Sequence, residues 1–209
     1  MKRMAAVLVT PRTGAVPPPG TDPAAFALAL TEDTYEVVAS LELCEPAVAV
    51  WAAGQSEADA MAARAAEVTW PGTPVLRLAG GAPLAGALAK LRRLGADQAA
   101  VVAADAPDLP PLLVGKLFRG LGNAEIAVCP AENGGLAGFA SRLPLPPWAG
   151  NPDLDDSGAL AALTTARPER RALSVVPGWH RLRAPGDISR LDPGLEGWEA
   201  TRALLSPRY

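Results

Sequence analysis

Short apolar runs recur along the chain, and each is followed by a segment whose apolar residues have helical spacing. The runs are short and contain few polar side chains, which is typical of strands that are covered on both faces. We predict strands at residues 5–10, 47–52, 74–78, 99–104, 126–129, 136–140 and 172–176. The pattern therefore predicts strands that alternate with helices.

The helices between these strands are predicted from their caps and their apolar periodicity. Asp22 is a candidate cap for a helix that has Pro23 in its first position. Ser56 and Asp59 resemble a capping box that opens the second helix. The predicted helices span residues 23–41, 56–68, 83–94, 112–121, 157–166, 185–191 and 195–205. This alternation indicates an α/β fold with a mostly parallel sheet and helices on both faces.

The composition is that of a single large α/β domain, residues 1–209. A net charge of −3 does not provide the basic face of a nucleic-acid binder. No segment approaches the roughly 20 apolar residues that span a bilayer. The first apolar run ends at Pro11 and is too short for a signal peptide, and Cys44 and Cys129 lack metal-ligand spacing. We expect a cytoplasmic protein that binds neither nucleic acid nor a membrane.

A buried strand ends in an acidic corner that prolines stiffen. Residues 99–104 carry no polar side chain, and Asp105 and Asp108 follow directly. Open α/β sheets bind ligands beyond the carboxyl ends of their strands, and two carboxylates there can hold Mg²⁺ or Mn²⁺ against nucleotide phosphates. Asp108 has an alternative role as the cap of the helix that starts near Pro110. Asp105 has no comparably simple structural role, so it is the stronger functional candidate.

Two glycine pairs and one cationic segment are further candidates. Gly80-Gly81 precedes a predicted helix, and Gly134-Gly135 lies between two predicted strands. Their amides can approach a phosphate or a sugar closely, although ordinary turns explain such pairs more often. The segment Trp179-His-Arg-Leu-Arg183 has arginines at alternate positions, hence on one side of an extended chain. That spacing suits a phosphate or a carboxylate, and solvated surface charge is the alternative.

Several familiar catalytic patterns are missing from the sequence. It contains no Gly-x-Ser-x-Gly elbow, and one histidine with two isolated cysteines suggests no catalytic triad. It also lacks the Gly-x-Gly-x-x-Gly and Walker-type phosphate loops. These absences argue against acyl-transfer hydrolases, dinucleotide-dependent redox enzymes and P-loop hydrolases.

Two motifs resemble the glycosyltransferase-A-like nucleotidyltransferases. They are Val101-Val-Ala-Ala-Asp-Ala-Pro-Asp-Leu-Pro110 and Cys129-Pro-Ala-Glu-Asn-Gly-Gly-Leu-Ala-Gly-Phe139. They are most similar to an uncharacterised bacterial family with Ser-Asp-x-Pro-Asp-Leu and Pro-Ala-Glu-Asp-Gly-Gly motifs, and phospholactate guanylyltransferase is a more distant relative. The resemblance implies a three-layer α/β/α sandwich with a mostly parallel, mixed sheet of the nucleotide-diphospho-sugar transferase type. It also implies that Asp105 holds a divalent ion or a ribose, while Glu132, Gly134 and Gly135 form an acceptor-side turn.

The departures from the family pattern all reduce the acidity of the implied site. In the first loop, Arg12-Thr-Gly-Ala-Val-Pro-Pro-Pro-Gly20 keeps one cation, so the phosphate-binding candidates there are Arg12 and Gly14. Asn133 stands where the family has an acidic residue in the glycine turn. Arg181 and Arg183 stand where relatives carry two aspartates. Cationic residues in those positions make Mg²⁺ or Mn²⁺ doubtful as a cofactor.

Two hypotheses follow from these observations. In the first, the chain is a transferase that moves a nucleotidyl or glycosyl group from a nucleoside triphosphate or nucleotide sugar to a small acceptor. Arg181 and Arg183, with Arg12, then stabilise phosphate charge where relatives use a metal, and Asp108 and Asn133 complete the candidate nucleotide or substrate contacts. In the second, the chain is a catalytically inactive member that binds nucleotides or a protein partner.

Overall fold

The computed structural model describes residues 1–206, which contain a seven-stranded sheet. The strands are β1 (Arg3–Val9), β2 (Glu45–Ala52), β3 (Val75–Ala79), β4 (Gln98–Ala103), β5 (Ile126–Pro130), β6 (Leu136–Arg142) and β7 (Leu173–Val175). Their order is β3-β2-β1-β4-β6-β5-β7, and β6 is antiparallel to both of its neighbours. The remaining pairs are parallel. The predicted mostly parallel, mixed sheet is confirmed.

Helices cover both faces of this sheet. They are α1 (Pro23–Ala39), α2 (Gln55–Glu67), α3 (Pro83–Arg93), α4 (Pro111–Gly120), α5 (Ala159–Ala166) and α6 (Glu199–Leu205). Helices α1, α2 and α4 pack in one core cluster, and α3 and α5 pack in the other. Helix α6 packs on α1. This arrangement is the three-layer α/β/α sandwich that the resemblance implied.

The central strands β1 and β4 are almost entirely buried. Every residue of β4 is buried, and its side chains alternate between the two cores, so Val101 faces one layer and Val102 the other. Because β1, β2, β3 and β4 are parallel, their carboxyl ends meet at one edge of the sheet. The loops at this edge are therefore brought together.

Some local predictions are confirmed, and others are wrong. The carboxylate of Asp22 accepts from the Ala25 amide at 2.8 Å, so it caps α1 as predicted. The capping box at Ser56 is wrong, because α2 starts one residue earlier and its cap is Gly54, which has no side chain to accept the bond. The last helix also starts later than residue 195, since Trp198 has a left-handed backbone with φ of 51°.

The helical segment predicted for residues 185–191 is a 3₁₀ helix at Pro185–Arg190. Two more short 3₁₀ helices lie at Pro147–Ala149 and Arg170–Ala172. None of the helices within residues 1–206 has both the length and the apolar character required to cross a membrane.

Candidate functional site

A cavity of about 450 Å³ opens at the carboxyl-terminal edge of β1 and β4. Three loops form its walls: the loop after β1, the loop between β3 and α3, and a loop of residues 151–155 before α5. The lining residues are Leu8, Thr10, Pro11, Arg12, Thr13, Trp51, Gly81, Ala82, Pro83, Ala103, Asn151, Pro152, Asp153, Leu154, Asp155 and Arg181. The volume lies in the range of pockets that hold one small-molecule ligand or cofactor.

The loop after β1 forms a tight turn that presents Arg12 to the cavity. The Thr10 amide donates to the Thr13 hydroxyl at 3.1 Å, and the Thr13 amide donates back to the Thr10 carbonyl at 2.9 Å. The Arg12 side chain is 78% exposed. Gly14 does not line the cavity; its φ is 68°, and an added Cβ would lie 2.7 Å from the Ala27 backbone in α1. Gly14 thus positions the loop against α1.

The second wall combines a tryptophan with the start of a helix. The indole nitrogen of Trp51, at the end of β2, donates to the Gly80 carbonyl at 3.0 Å and holds the β3–α3 loop. Gly81 and Pro83 line the cavity where α3 begins. Free amides and the helix dipole favour an anion at such a position. Sequence reasoning had treated the Gly80-Gly81 pair mainly as an ordinary turn and had not singled out Trp51.

Asp105 lies at the end of β4 as predicted, but it forms a buried ion pair with Arg181. One carboxylate oxygen binds the arginine Nε, and the other accepts from Nη2 at 2.9 Å. Nη1 donates to the carbonyls of Leu136 and Leu154, and Nη2 also donates to Asp155 at 2.8 Å. All five N–H groups of the guanidinium are therefore engaged. The surface-charge alternative for Arg181 is wrong, because the residue is only 5% exposed.

Asp155 extends this pair into a network with two more arginines. Its Oδ1 accepts from Arg183 Nη2 at 2.8 Å, and its Oδ2 lies 3.5 Å from Arg12 Nη1. Asp155 was not identified from the sequence as a candidate site residue. The signal available was a cluster of three aspartates, Asp153, Asp155 and Asp156, just before a predicted helix. Arg181 and Arg183 do share one anionic group, as their alternate spacing suggested, and that group is a carboxylate of the protein itself.

The ionisation of this network is set by burial and by the opposite charges. Burial raises the pKa of the Asp105 carboxyl, and the charge and hydrogen bonds of Arg181 oppose that rise. For Arg181, burial lowers the pKa, but the carboxylates of Asp105 and Asp155 outweigh it, so the net direction is upward. The guanidinium therefore stays charged, and it is the group that favours the ionised form of Asp105.

The turn of Gly134 and Gly135, between β5 and β6, contacts this network but does not line the cavity. Arg183 Nη1 donates to the Gly134 carbonyl at 3.0 Å, and Asn133 Nδ2 donates to the Arg181 carbonyl at 2.9 Å. Gly135 has a φ of 78°, and a Cβ there would overlap the Leu154 carbonyl oxygen. The turn therefore supports both arginines and the 151–155 loop.

Glu132 and Asp108 lie outside the cavity wall as well. Glu132 is half-exposed, and its carboxylate pairs with Arg190 at 2.9 Å. Asp108 is not the cap of α4, since the cap position is Pro110 and no side chain accepts there. The Asp108 carboxylate instead accepts from the Trp179 indole at 3.1 Å and lies 3.0 Å from His180 Nε2.

The residues around Asp105 do not fit a divalent cation. Mg²⁺ and Mn²⁺ need several free oxygen ligands, but both oxygens of Asp105 are bound by one guanidinium. Asp155 shares that guanidinium. Across residues 1–206, no three side chains of the His, Cys, Asp and Glu types are grouped to hold a metal ion. The two carboxylates are thus not available as metal ligands while Arg181 lies between them.

The sheet order, the single antiparallel strand and the cavity at the carboxyl ends of β1 and β4 define an α/β fold of the nucleotide-diphospho-sugar transferase type. The family model for the MobA-like NTP transferase domain matches residues 29–183, so the chain belongs to that family. A search of curated proteins gave no match.

Solved structures share this fold at low sequence identity. A protein assigned as a nucleotide-diphospho-sugar transferase from Desulfovibrio desulfuricans G20 has a TM-score of 0.67 and 17% identity, over 98% of this chain and 97% of that one. The 4-diphosphocytidyl-2C-methyl-D-erythritol synthase of Anaerococcus prevotii has a TM-score of 0.62 and 10% identity, over 98% and 96%. A complex of Rv0371c with manganese, from Mycobacterium tuberculosis H37Rv, has 0.57 and 19%, over 98% of both chains.

Proposed function

We propose that this chain binds a nucleoside triphosphate or a nucleotide sugar in the cavity and transfers the nucleotidyl or glycosyl group to a small acceptor. The observation that carries the proposal is the cavity of about 450 Å³ at the carboxyl ends of β1 and β4. Ligands of open α/β sheets bind at this place, and the volume suits one nucleotide-sized molecule. Membership of the MobA-like NTP transferase family supports the nucleotide as the ligand class.

Arg12 and the start of α3 are the groups suited to the phosphates. Arg12 is the arginine of this network whose side chain is mostly exposed at the cavity. Arg181 has no N–H left to donate, so it contributes its charge and holds Asp155 in position. The positive end of the α3 dipole adds to the field at the opposite wall. The face of Trp51 offers an apolar surface for a base or a sugar.

The reaction that fits these groups is an in-line displacement. An acceptor oxygen forms a bond to phosphorus, or to the sugar carbon, while the bond to the leaving phosphate oxygen breaks. Such a step depends mainly on positioning and on neutralising the charge of the leaving phosphate, which Arg12 can do. The two family motifs also support a proposed relationship to the bacterial family with the Ser-Asp-x-Pro-Asp-Leu signature.

A second candidate function is nucleotide binding without turnover. It is favoured by the complete pairing of Asp105, which leaves no free carboxylate oxygen at the strand end to act as a base or a metal ligand. In this case the cavity and Arg12 keep the same roles in binding.

Calorimetric titration with nucleoside triphosphates and nucleotide sugars tests the binding. We expect saturable binding that Arg12→Ala weakens about tenfold, because one charge-assisted contact to phosphate is lost. Arg64→Ala on the exposed face of α2 is the matched control and should leave the affinity unchanged. Absence of binding, or equal binding in Arg12→Ala, would contradict the proposal. Release of pyrophosphate or of a nucleotide with candidate acceptors separates transfer from binding alone.

A further inference from the structure

Two carboxylates from distant parts of the chain converge on a single nitrogen atom. Nη2 of Arg181 lies 2.9 Å from Asp105 Oδ2 and 2.8 Å from Asp155 Oδ1. Asp105 follows β4, Asp155 precedes α5, and Arg181 follows β7. A divalent ion bound between the two aspartates would need the same arrangement, with one oxygen of each carboxylate next to the positive charge.

The fold holds this guanidinium in place from every side. Its Nη1 is bound by the carbonyls of Leu136 and Leu154 at 3.1 and 2.9 Å. The backbone on either side is anchored too: the Arg181 carbonyl accepts from Asn133, and the Leu182 amide donates to the Asp105 carbonyl at 2.7 Å. A guanidinium fixed in this way is a permanent charge, because arginine does not lose its proton in proteins.

We propose that Arg181 is a built-in cation that takes the position of a divalent ion between Asp105 and Asp155, and that it makes ligand binding at the cavity independent of metal. The choice of ligand rests on the proposed function, but the cation position can be tested without any nucleotide.

Removing Arg181 should convert the site into one that binds a divalent ion. Asp155 would remain at the cavity wall and Asp105 beside it, and both oxygens of Asp105 would lose their hydrogen bonds to Arg181. The guanidinium of Arg183 would remain, with its Nε 3.8 Å from Asp105 Oδ2 and its Nη2 2.8 Å from Asp155 Oδ1. Carboxylate oxygens that have lost such a partner prefer hard cations. The hydrophobic replacement Arg181→Met fills part of the volume without supplying charge. Arg142→Met is the matched control, because the described partners of Arg142 are the carbonyls of residues 121, 122 and 124, so its loss frees no carboxylate.

The test is a titration of Mn²⁺ followed by its electron paramagnetic resonance signal, with no nucleotide present. We expect the wild type and Arg142→Met to leave the signal of free Mn²⁺ unchanged. Arg181→Met should bind one Mn²⁺ per chain at least about tenfold more tightly than the wild type. Adding Asp155→Asn to Arg181→Met should abolish the gain.

Two results would overturn the proposal. One is a wild type that binds Mn²⁺ and loses it in Asp105→Asn, since the carboxylate would then be available in spite of Arg181. The other is a folded Arg181→Met, checked by circular dichroism, that gains no Mn²⁺ binding either alone or with Arg183→Met added, which removes the second guanidinium beside the two carboxylates. If Arg181→Met does not fold, Arg181→Gln takes its place in the same titration, because it also removes the charge between Asp105 and Asp155 and keeps a polar side chain near the Leu136 and Leu154 carbonyls.

Nucleotide titrations in EDTA and in Mn²⁺ separate this proposal from the proposed function. Equal affinity in the two buffers supports metal-independent binding. Binding that needs Mn²⁺ contradicts the role of Arg181 and leaves the proposed function standing. If no nucleotide binds in either buffer, the proposed function fails, and the Mn²⁺ titrations alone decide the role of Arg181.

Discussion

The arginines of the site divide their roles according to exposure. Arg181 is buried, and every one of its guanidinium N–H groups donates to another group of the protein. The Arg12 side chain is largely exposed to solvent at the mouth of the cavity. A buried guanidinium orders the carboxylates and carbonyls around it, and an exposed one is free to meet a phosphate. Residue type alone did not separate these roles, because both residues are arginines in predicted extended or loop segments.

Asp105→Asn should destabilise the fold by about 3 kcal/mol, because it leaves the buried Arg181 without its main counter-charge. Asp59→Asn is the matched control: Asp59 pairs with the Nε of Arg77 at 3.2 Å, but both side chains are about half exposed. We expect the control to cost less than about 1 kcal/mol. Urea unfolding measures both free energies, and equal losses would contradict the importance of burial.

Cys129 should resist thiol reagents in the native protein. It is buried, and burial raises the pKa of its thiol to about 12, so little thiolate is present at neutral pH. The half-buried Cys44, whose pKa burial also raises, should be labelled first because a reagent can reach it. Mass spectrometry after timed labelling tells the two apart. Fast native labelling of Cys129 would show that its environment opens.

At the scale of elements, the turn between β5 and β6 and the 151–155 loop are joined through one atom. The Leu154 carbonyl oxygen accepts from Leu136, Arg181 and Arg183, and Gly135 lies against it. The packing of the turn against this carbonyl thus determines where the cavity wall stands.

Gly135→Ala should destabilise the protein and displace the cavity wall, because its Cβ would overlap the Leu154 carbonyl oxygen. Gly134→Ala is a close control: its φ is also positive, but its nearest neighbour, the Ser157 Cβ, is 3.4 Å away. The control should cost about 1 kcal/mol for backbone strain, and Gly135→Ala about 2 kcal/mol more. Thermal unfolding and ligand titration of both variants check this order. Similar losses in the two would contradict the role of the overlap.

Helix α1 carries two acidic residues near the start of α6, Asp33 and Glu36, and the ionisation of Glu36 should lower the stability of the fold. The carboxylate of Asp33 accepts from the Ala200 and Thr201 amides at 2.9 and 2.8 Å. Burial, followed by the charges of Asp33 and Glu199, raises the pKa of Glu36. A raised pKa means that the folded state favours the protonated acid, so this contribution to stability is lost as the pH rises through the folded-state pKa.

Glu36→Gln should therefore be more stable than the wild type at neutral pH, and the difference should vanish in acid, where the wild-type carboxyl is protonated. Glu42→Gln, in the exposed turn after α1, is the control for loss of one charge. Unfolding curves at a series of pH values measure the difference. A stabilisation that persists in acid would show that ionisation of Glu36 is not its cause.

At the scale of the whole molecule, one sheet separates two cores that should respond independently to substitution. Leu88 of α3 and Leu117 of α4 are both almost fully buried, on opposite faces of the sheet. Leu88→Val and Leu117→Val each remove one methylene and should cost about 1 kcal/mol. In the double variant, the losses measured by urea unfolding should add within about 0.5 kcal/mol. A larger deviation would mean that the two layers are coupled.

Local patterns in the sequence were sufficient to predict most of the strands and helices, and the edge of the sheet at which the site lies. Apolar runs such as residues 99–104 fix a buried strand because no polar side chain has to be satisfied there, and Asp22-Pro23 fixes a helix start through local bonds. The position of Asp105 at a strand end follows from the same local pattern. These features depend on neighbours in the chain, so they can be read along it.

The roles of the charged residues depend on contacts between distant parts of the chain. Arg181 and Asp105 are separated by 76 positions, and Arg181 and Asp155 by 26, so no local pattern reports their contact. The same holds for Asp108, which caps no helix because Trp179 and His180 lie against it. Side chains pair according to their distance in space, not their separation in sequence. For this reason Asp105, predicted as a metal ligand, forms a buried ion pair with Arg181.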